Sequence, residues 1–155
     1  MRTLTTHIRI DAPREAVWEV LTDFGSFPEW NPLILEAEGE LEEGSRISVA
    51  MEAGGKKPFR VRPRIIHLDP GRELRWLGRI LIPGLFDAEH VFRLEDGDDG
   101  GVHLIHEEHF RGIAVPLLWR NLDTDTRSRF DEMNRALKAR VEGSQDVLAA
   151  EGGAS

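Results

Sequence analysis

The segment FDAEHVFRLEDGDDGGVHLIHEEHF, residues 86–110, decides the fold because it contains two alternating runs around one turn. The first run places apolar residues and one histidine at every second position, namely Phe86, Ala88, His90, Phe92 and Leu94. After an acidic, glycine-rich loop, the second run repeats this pattern with Val102, Leu104, His106, Glu108 and Phe110. A two-residue period predicts strands that bury one face, and the short loop predicts an antiparallel hairpin.

Further strands are predicted upstream of this hairpin. Residues 4–10 alternate between apolar and polar side chains, as do residues 47–52, 59–65 and 74–76, and residues 33–37 form a weaker candidate. Glycine- and proline-containing turns separate several of these runs. The upstream sequence therefore contributes about five strands to an antiparallel sheet with one wetted face.

Helices are predicted at both ends of this series of strands. Residues 13–21 form a short amphipathic helix, and a second short helical piece holds Phe24 and Phe27. From Val115 to Val141 apolar residues recur at spacings of three and four, which predicts one long helix of about 40 Å. Gly143 is the predicted end of that helix, and residues 144–155 are predicted to be a disordered tail.

These elements predict an α+β fold of one domain. About six or seven antiparallel strands form a curved sheet around the long C-terminal helix, with two short helices after the first strand. The domain spans residues 1–143, a usual size for one domain. A curved sheet around a helix leaves room for a cavity, although the pattern alone does not require one.

The amino-acid composition argues against several classes of function. The 155 residues carry a formal charge of −8 and no cysteine, which disfavours nucleic-acid binding and excludes disulfides and thiolate metal sites. We predict no membrane span, because the longest apolar stretch is far shorter than the ~20 residues a span needs. A cytoplasmic location is expected, since the sequence begins without an apolar leader.

The sequence resembles the START-related SRPBCC superfamily, in its polyketide cyclase/dehydrase-type subgroup. The likeness is carried by IDAPREAVWEVLTDFGSFPEWNP (residues 10–32), RELRWLGR (72–79), HVFRLE (90–95) and HEEHFRG (106–112). It implies a helix-grip fold with a deep apolar cavity between the sheet and the C-terminal helix. It implies no single activity, because members include binders of lipids, sterols, hormones or polyketides as well as cyclases.

Three polar side chains share the predicted inward face of the hairpin: His90, His106 and Glu108. A turn centred near Asp98 places His90 opposite His106 and Glu108 diagonal to His90. A buried carboxyl group needs a hydrogen bond, a cationic partner or a proton. The trio is therefore a polar anchor for a ligand, a structural network, or an acid–base group.

We expect a ligand to be held by this trio together with apolar neighbours. The predicted contacts are Trp30, Met51, Trp76, His90, Phe92, His106, Glu108, Phe110, Trp119 and Leu122. Trp30 and Trp76 are included on the strength of the family resemblance, and Trp119 as a gate at the start of the long helix. A metal site is not predicted, because His106 and His109 lie three residues apart and face opposite sides of a strand.

The leading hypothesis is a binding protein for a small hydrophobic or amphipathic ligand that is lipid-, sterol- or polyketide-like. The first alternative is a cyclase or dehydratase that uses Glu108 and His90 as acid and base. The second is a protein-interaction or maturation module whose pocket is vestigial and filled by side chains. No cofactor motif is present, and neither the oligomeric state nor the ligand follows from the sequence.

Overall fold

A computed structural model describes residues 1–152, and it contains eight strands, two α-helices and one 3₁₀ helix within that range. In chain order the first elements are β1 (Arg2–Ile10), α1 (Arg14–Thr22), the 3₁₀ helix (Phe24–Glu29), β2 (Ile34–Glu38), β3 (Ser48–Ala53) and β4 (Lys56–Val61). The remaining elements are β5 (Arg64–Asp69), β6 (Glu73–Ile80), β7 (Phe86–Asp96), β8 (Val102–Arg111) and α2 (Val115–Gly152). The predicted α+β class and the order of elements are confirmed.

The strands form two antiparallel groups that together make one curved wall. The larger group has the order β1-β8-β7-β6-β5, and the smaller has the order β2-β3-β4. The segment before β3 joins them, because Ile47 donates its amide to the carbonyl of Pro63, and Ile65 donates to that of Ser45. The helix α2 lies along β1 and β8 and also contacts α1. This arrangement is the predicted helix-grip fold.

One predicted strand proved to be two. The alternation over residues 59–65 favours a single strand, whereas β4 ends at Val61 and β5 begins at Arg64. Pro63 lies in the gap, and because proline has no amide hydrogen it interrupts a ladder of hydrogen bonds. The chain passes from the smaller group to the larger at this point, so the strand count is eight rather than six or seven.

The long helix also ends later than predicted. It passes through Gly143 without a break and continues to Gly152, so residues 144–152 are helical rather than an irregular tail. A side chain added at Gly143 would meet no other atom, so this position is open to solvent. A glycine at such a position lowers the stability of a helix by only about 1 kcal/mol relative to alanine. Residues 153–155 of the predicted tail lie outside the described residues.

The core lies between α2, α1 and the concave face of the sheet. Buried residues of the sheet face inward at every second position, among them Leu74, Phe92, Leu94, Leu104 and Phe110. The helix α2 buries Phe130, Met133, Leu137 and Val141 at spacings of three and four residues against them. No helix within residues 1–152 has the length and hydropathy needed to cross a bilayer.

Candidate functional site

A cavity of about 250 Å³ lies between the curved sheet and the N-terminal half of α2. Strands of both groups form its walls, and α2 covers one side. The lining is mainly apolar and includes Met51, Trp76, Phe86, Phe110, Leu122 and Phe130. A concave apolar site with few polar groups is the usual form of a small-molecule site.

Two small residues in the middle of the sheet create this space. Gly78 of β6 pairs with Ala88 of β7, and Ala88 pairs with Phe110 of β8. Both Gly78 and Ala88 line the cavity. Because neither has a side chain longer than a methyl group, this part of the sheet leaves space in the cavity that Leu122 and Thr126 of α2 also line.

The polar end of the cavity is formed by His90 and Glu108. Their Cα atoms are direct partners across β7 and β8, and His90 Nδ1 lies 3.9 Å from Glu108 Oε1. The predicted pairing of His90 with His106 is wrong by two residues, because the hairpin is centred at residue 99, and His106 instead faces Phe92. The inward orientation of Phe86, His90, Phe92, Glu108 and Phe110 is confirmed.

A chain of hydrogen bonds continues from His90 into the protein. His90 Nε2 lies 2.6 Å from His106 Nε2, and His106 Nδ1 lies 2.8 Å from Asn134 Oδ1 on α2. Asn134 Nδ2 donates to Thr6 Oγ1 over 2.9 Å, and Thr6 Oγ1 donates to the main-chain oxygen of His106 over 3.2 Å. All four residues are buried, so the chain links β1, β7, β8 and α2 away from water.

Aromatic rings enclose the two histidines of this chain. The ring of Phe130 stacks on His106 with centroids 3.8 Å apart and planes at 5°, and it lies 5.0 Å from His90. Phe92 lies 4.6 Å from both imidazoles, and Trp76 lies 5.3 Å from His90. These contacts hold the rings in fixed orientations and exclude water from them.

Burial changes the acidity of all three groups. Burial lowers the pKa of His90 well below its usual value of 6.5, and the nearby His106 lowers it further. Burial also lowers the pKa of His106 to about 3, against an opposing effect of the hydrogen bond to Asn134. For Glu108, whose side chain is 16% exposed, burial raises the pKa to about 8. At neutral pH the site therefore holds two neutral imidazoles and a carboxylic acid.

Arg129 and Glu52 form a second polar pair at the cavity. Arg129 of α2 donates from Nη1 to the main-chain oxygen of Glu52 over 2.9 Å, and its Nε lies 3.6 Å from Glu52 Oε2. Both residues line the cavity. The pair connects the β3–β4 hairpin to α2, and Glu52 also accepts from the amide of Gly55 in that hairpin.

The structure places six of the ten predicted contact residues on the cavity wall: Met51, Trp76, His90, Glu108, Phe110 and Leu122. Phe92 and His106 lie directly behind His90 in the core. Trp119 packs edge-on against Phe110, with Arg2 lying 5.5 Å over its ring, and does not line the cavity. Trp30 lines a separate groove between α1 and α2 and packs on Phe27.

Phe130, Asn134, Glu52 and Arg129 are among the residues of the site that were not predicted. Phe130 and Asn134 were recognised only as positions of the long helix, and Glu52 and Arg129 were not considered. Asn134 carries a usable signal, since an asparagine among apolar residues on the inward face of a helix needs buried partners. Among residues 1–152, no three histidine, aspartate or glutamate side chains are placed to hold a metal ion.

Comparison with solved structures finds the same fold in several proteins. Ara h 8.0201 superposes with a TM-score of 0.71 at 18% identity, covering 92% of this chain and 98% of that one. The Zhui aromatase/cyclase from Streptomyces sp. R1128 gives 0.69 at 18% identity, covering 91% and 93%. The di-domain aromatase/cyclase BexL gives 0.71 at 18% identity, and the chain spans 47% of its length. At these identities the likeness shows a shared fold.

The sequence itself identifies the family. No curated protein matches the chain. The family described as polyketide cyclase / dehydrase and lipid transport, however, matches residues 1–142, which include every strand and the cavity-covering part of α2. The chain therefore belongs to the polyketide cyclase / dehydrase and lipid transport family.

Proposed function

We propose that this protein binds a small apolar ligand carrying one polar group in the cavity beneath α2. The observation that supports this proposal is the distribution of polarity along the cavity wall. Apolar side chains line most of it, and His90 and Glu108 provide hydrogen-bonding groups at one end. A few well-placed polar groups in an apolar site fix the orientation of a ligand.

The volume of the cavity limits the size of that ligand. At about 250 Å³ the cavity lies below the range of roughly 300–1,000 Å³ that holds drug-sized molecules. It exceeds the engineered cavity of about 150 Å³ that binds benzene. The ligand is thus a molecule of about two rings, or a chain of similar bulk, rather than a whole sterol.

A pair of matched variants tests binding at this site. Ala88→Phe fills the cavity from the centre of β7, whereas Ala139→Phe makes the same change on the exposed surface of α2. Calorimetry with neutral one- and two-ring compounds should detect binding to the native protein and to Ala139→Phe, and loss of binding in Ala88→Phe. Absence of binding across such a panel, or equal binding by all three proteins, would contradict the proposal.

The second candidate is an enzyme of the cyclase or dehydratase type. The observation that favours it is the opposite character of two neighbouring groups on the cavity wall. The raised pKa of Glu108 keeps its carboxyl protonated at neutral pH, and the lowered pKa of His90 keeps its imidazole unprotonated. An acid and a base held side by side suit proton transfer to and from one substrate.

Turnover of a polyketide-like substrate separates the two candidates. Glu108→Gln removes the acidic proton, His90→Ala removes the base, and His103→Ala serves as the control because His103 is exposed on β8. An enzyme should lose at least about a hundredfold in kcat with the first two changes and keep its activity with the control. A protein that binds ligand but shows no turnover is a carrier or sensor.

Two other hypotheses from the sequence receive less support than ligand binding. A pocket filled by side chains would favour the protein-interaction or maturation module, whereas the interior holds a cavity of about 250 Å³. Several outward arginines pair with carboxylates, as Arg60 does with Glu36 and Arg75 with Glu73 and Glu89, so part of the basic stripe on the sheet is neutralised. The cytoplasmic location stays a prediction.

A further inference from the structure

We propose that Thr6 and Asn134, which lie outside the cavity, are positioning residues that fix the direction of the hydrogen bonds at its polar end. Through His106 they make His90 Nδ1 an acceptor, so that the site selects a neutral ligand with a hydroxyl group over its carbonyl counterpart. The ligand class rests on the proposed binding function. The proton positions rest on the hydrogen-bond chain and on the burial that keeps both imidazoles neutral.

The orientation of the Asn134 amide is the first step. As placed, Asn134 takes part in a set of three buried hydrogen bonds: Nδ2 to Thr6 Oγ1, Thr6 Oγ1 to the His106 oxygen, and His106 Nδ1 to Asn134 Oδ1. The reversed amide would accept from Thr6 and donate to His106 Nδ1, which makes only two such bonds. One buried hydrogen bond changes a population by about fivefold, so the first orientation prevails.

The proton positions on the two imidazoles follow from this orientation. Because Asn134 Oδ1 can only accept, the proton of neutral His106 lies on Nδ1 and its Nε2 carries a lone pair. His90 Nε2, 2.6 Å away, must then donate to that lone pair. Neutral His90 has one ring proton, so its Nδ1 is left as an acceptor on the cavity wall.

Glu108 completes the polar end. Its Oε1 lies 3.9 Å from His90 Nδ1, which is too long for a direct hydrogen bond, and it has no hydrogen-bond partner among residues 1–152. With its pKa raised to about 8 by burial, Glu108 carries a proton at neutral pH and can donate it. The cavity thus presents an acceptor and a donor side by side.

A hydroxyl group matches this pair, whereas a carbonyl group does not. A hydroxyl can donate to His90 Nδ1 and accept from Glu108 at the same time. A carbonyl oxygen can only accept from Glu108, which leaves a buried lone pair on His90 without a partner. A carboxylate ligand would place a charge beside an unprotonated imidazole, and Arg129 on the cavity wall is already paired with Glu52, so neutral ligands are favoured.

The proton positions can be measured without any ligand. Two-bond proton–nitrogen correlation spectra distinguish the protonated from the unprotonated nitrogen of each histidine. We expect His106 to be protonated at Nδ1 and His90 at Nε2 in the native protein at pH 6.5. A proton on His90 Nδ1 would overturn the inference whatever the protein binds.

Selectivity is measured with 1-tetralol and 1-tetralone, which share a two-ring skeleton and differ in a hydroxyl or carbonyl group. Thr6→Val removes the hydroxyl that orients Asn134 and makes its two amide orientations nearly equal. Thr6→Ser is the matched control, because it keeps the hydroxyl. We expect 1-tetralol to bind more tightly than 1-tetralone to the native protein and to Thr6→Ser. In Thr6→Val we expect the Kd of 1-tetralone divided by the Kd of 1-tetralol to be about fivefold smaller.

The possible results separate this inference from the proposed function. If both compounds bind and Thr6→Val leaves the ratio unchanged while folding normally, the positioning role fails and ligand binding stands. If neither compound binds, the proposed function fails for ligands of this size. The spectra of the native protein then still decide whether Thr6 and Asn134 set the proton positions.

Discussion

The helix α2 covers two regions of the same sheet that differ in packing. Its first half, including Leu122 and Thr126, covers the cavity, whereas its second half buries Leu137 and Val141 in the core. In the packed core the sheet contributes large residues such as Phe92, Leu94 and Leu104. At the cavity it contributes the small residues Gly78 and Ala88 as well as larger ones such as Phe110. The size of the sheet residues therefore decides where this helix rests on a core and where it covers a space.

The largest expected effect comes from truncating leucines in the two halves of the helix. Leu137 is fully buried, and Leu137→Ala should lower the free energy of unfolding by about 3 kcal/mol because the side chain leaves a cavity. Leu122 already borders a cavity, so Leu122→Ala should cost about 1 kcal/mol or less. Denaturant unfolding of both variants measures the difference.

Equal losses of unfolding free energy in Leu137→Ala and Leu122→Ala would contradict the difference in packing between the two halves of the helix. Such a result would mean that the space beneath Leu122 closes in solution and that the first half packs as the second does. The slope of unfolding free energy against denaturant should stay the same in both variants, because neither change alters the extent of the folded chain.

The next effect concerns pH, since the two regions hold groups with opposite shifts in pKa. Glu108 has its pKa raised to about 8 in the folded state, so its contribution to stability is complete below about 4.5 and is lost as the pH rises toward 8. His106 has its pKa lowered to about 3, and that of His90 is also lowered, so their contributions are complete above about 6.5 and are lost as the pH falls.

These opposite signs predict a maximum in stability near pH 6.5. Above it, the folded state holds on Glu108 a proton that the unfolded state has already released, so unfolding free energy should fall by about 2 kcal/mol between pH 6.5 and pH 8. Glu108→Gln should abolish this decline, because the amide resembles the protonated acid and does not titrate. The other charged residues lining the cavity, Glu52 and Arg129, pair with each other and remain in both proteins.

Glu107→Gln is the matched control for this measurement. Glu107 is the neighbour of Glu108 on β8 but faces outward, where it pairs with Arg93 and His109. Its replacement should leave the decline above pH 6.5 in place. If Glu108→Gln retains the decline, Glu108 ionises freely and the polar end of the cavity is wetter than its burial indicates.

The sequence predicted the fold because periodicity reports which face of an element is buried. The period of two in β7 and β8 was enough to predict that Glu108 faces the interior. The spacing of three and four residues in α2 was enough to predict the same for Phe130. Periodicity does not report register, however. The residue opposite His90 is Glu108 because the turn is centred at Asp99 rather than at Asp98, and no pattern within the strands indicates where that centre lies.

The cavity and its supporting chain were harder to predict for a related reason. The space remains because Gly78 and Ala88 are partners in neighbouring strands, and this pairing depends on the register of β6 and β7. The Thr6–Asn134 contact joins residues 128 positions apart, so no local pattern contains it. Trp30 and Trp119 were misplaced because a tryptophan near a short or long helix packs equally well on either side.

The smallest expected effect comes from adding bulk to the two regions of the sheet. Ala88→Phe enters the cavity, so it should change the free energy of unfolding by less than about 1 kcal/mol. Ala37 of β2 is 8% exposed and belongs to the packed core, and the same change there should cost about 1–3 kcal/mol through overpacking. Thermal unfolding of the two variants measures this difference, and the two alanines lie on strands of the same wall.

An equal penalty at Ala88 would show that the space is too narrow or too rigid for a benzyl group. A ligand of two rings would then have to bind by displacing α2 rather than by entering beneath it.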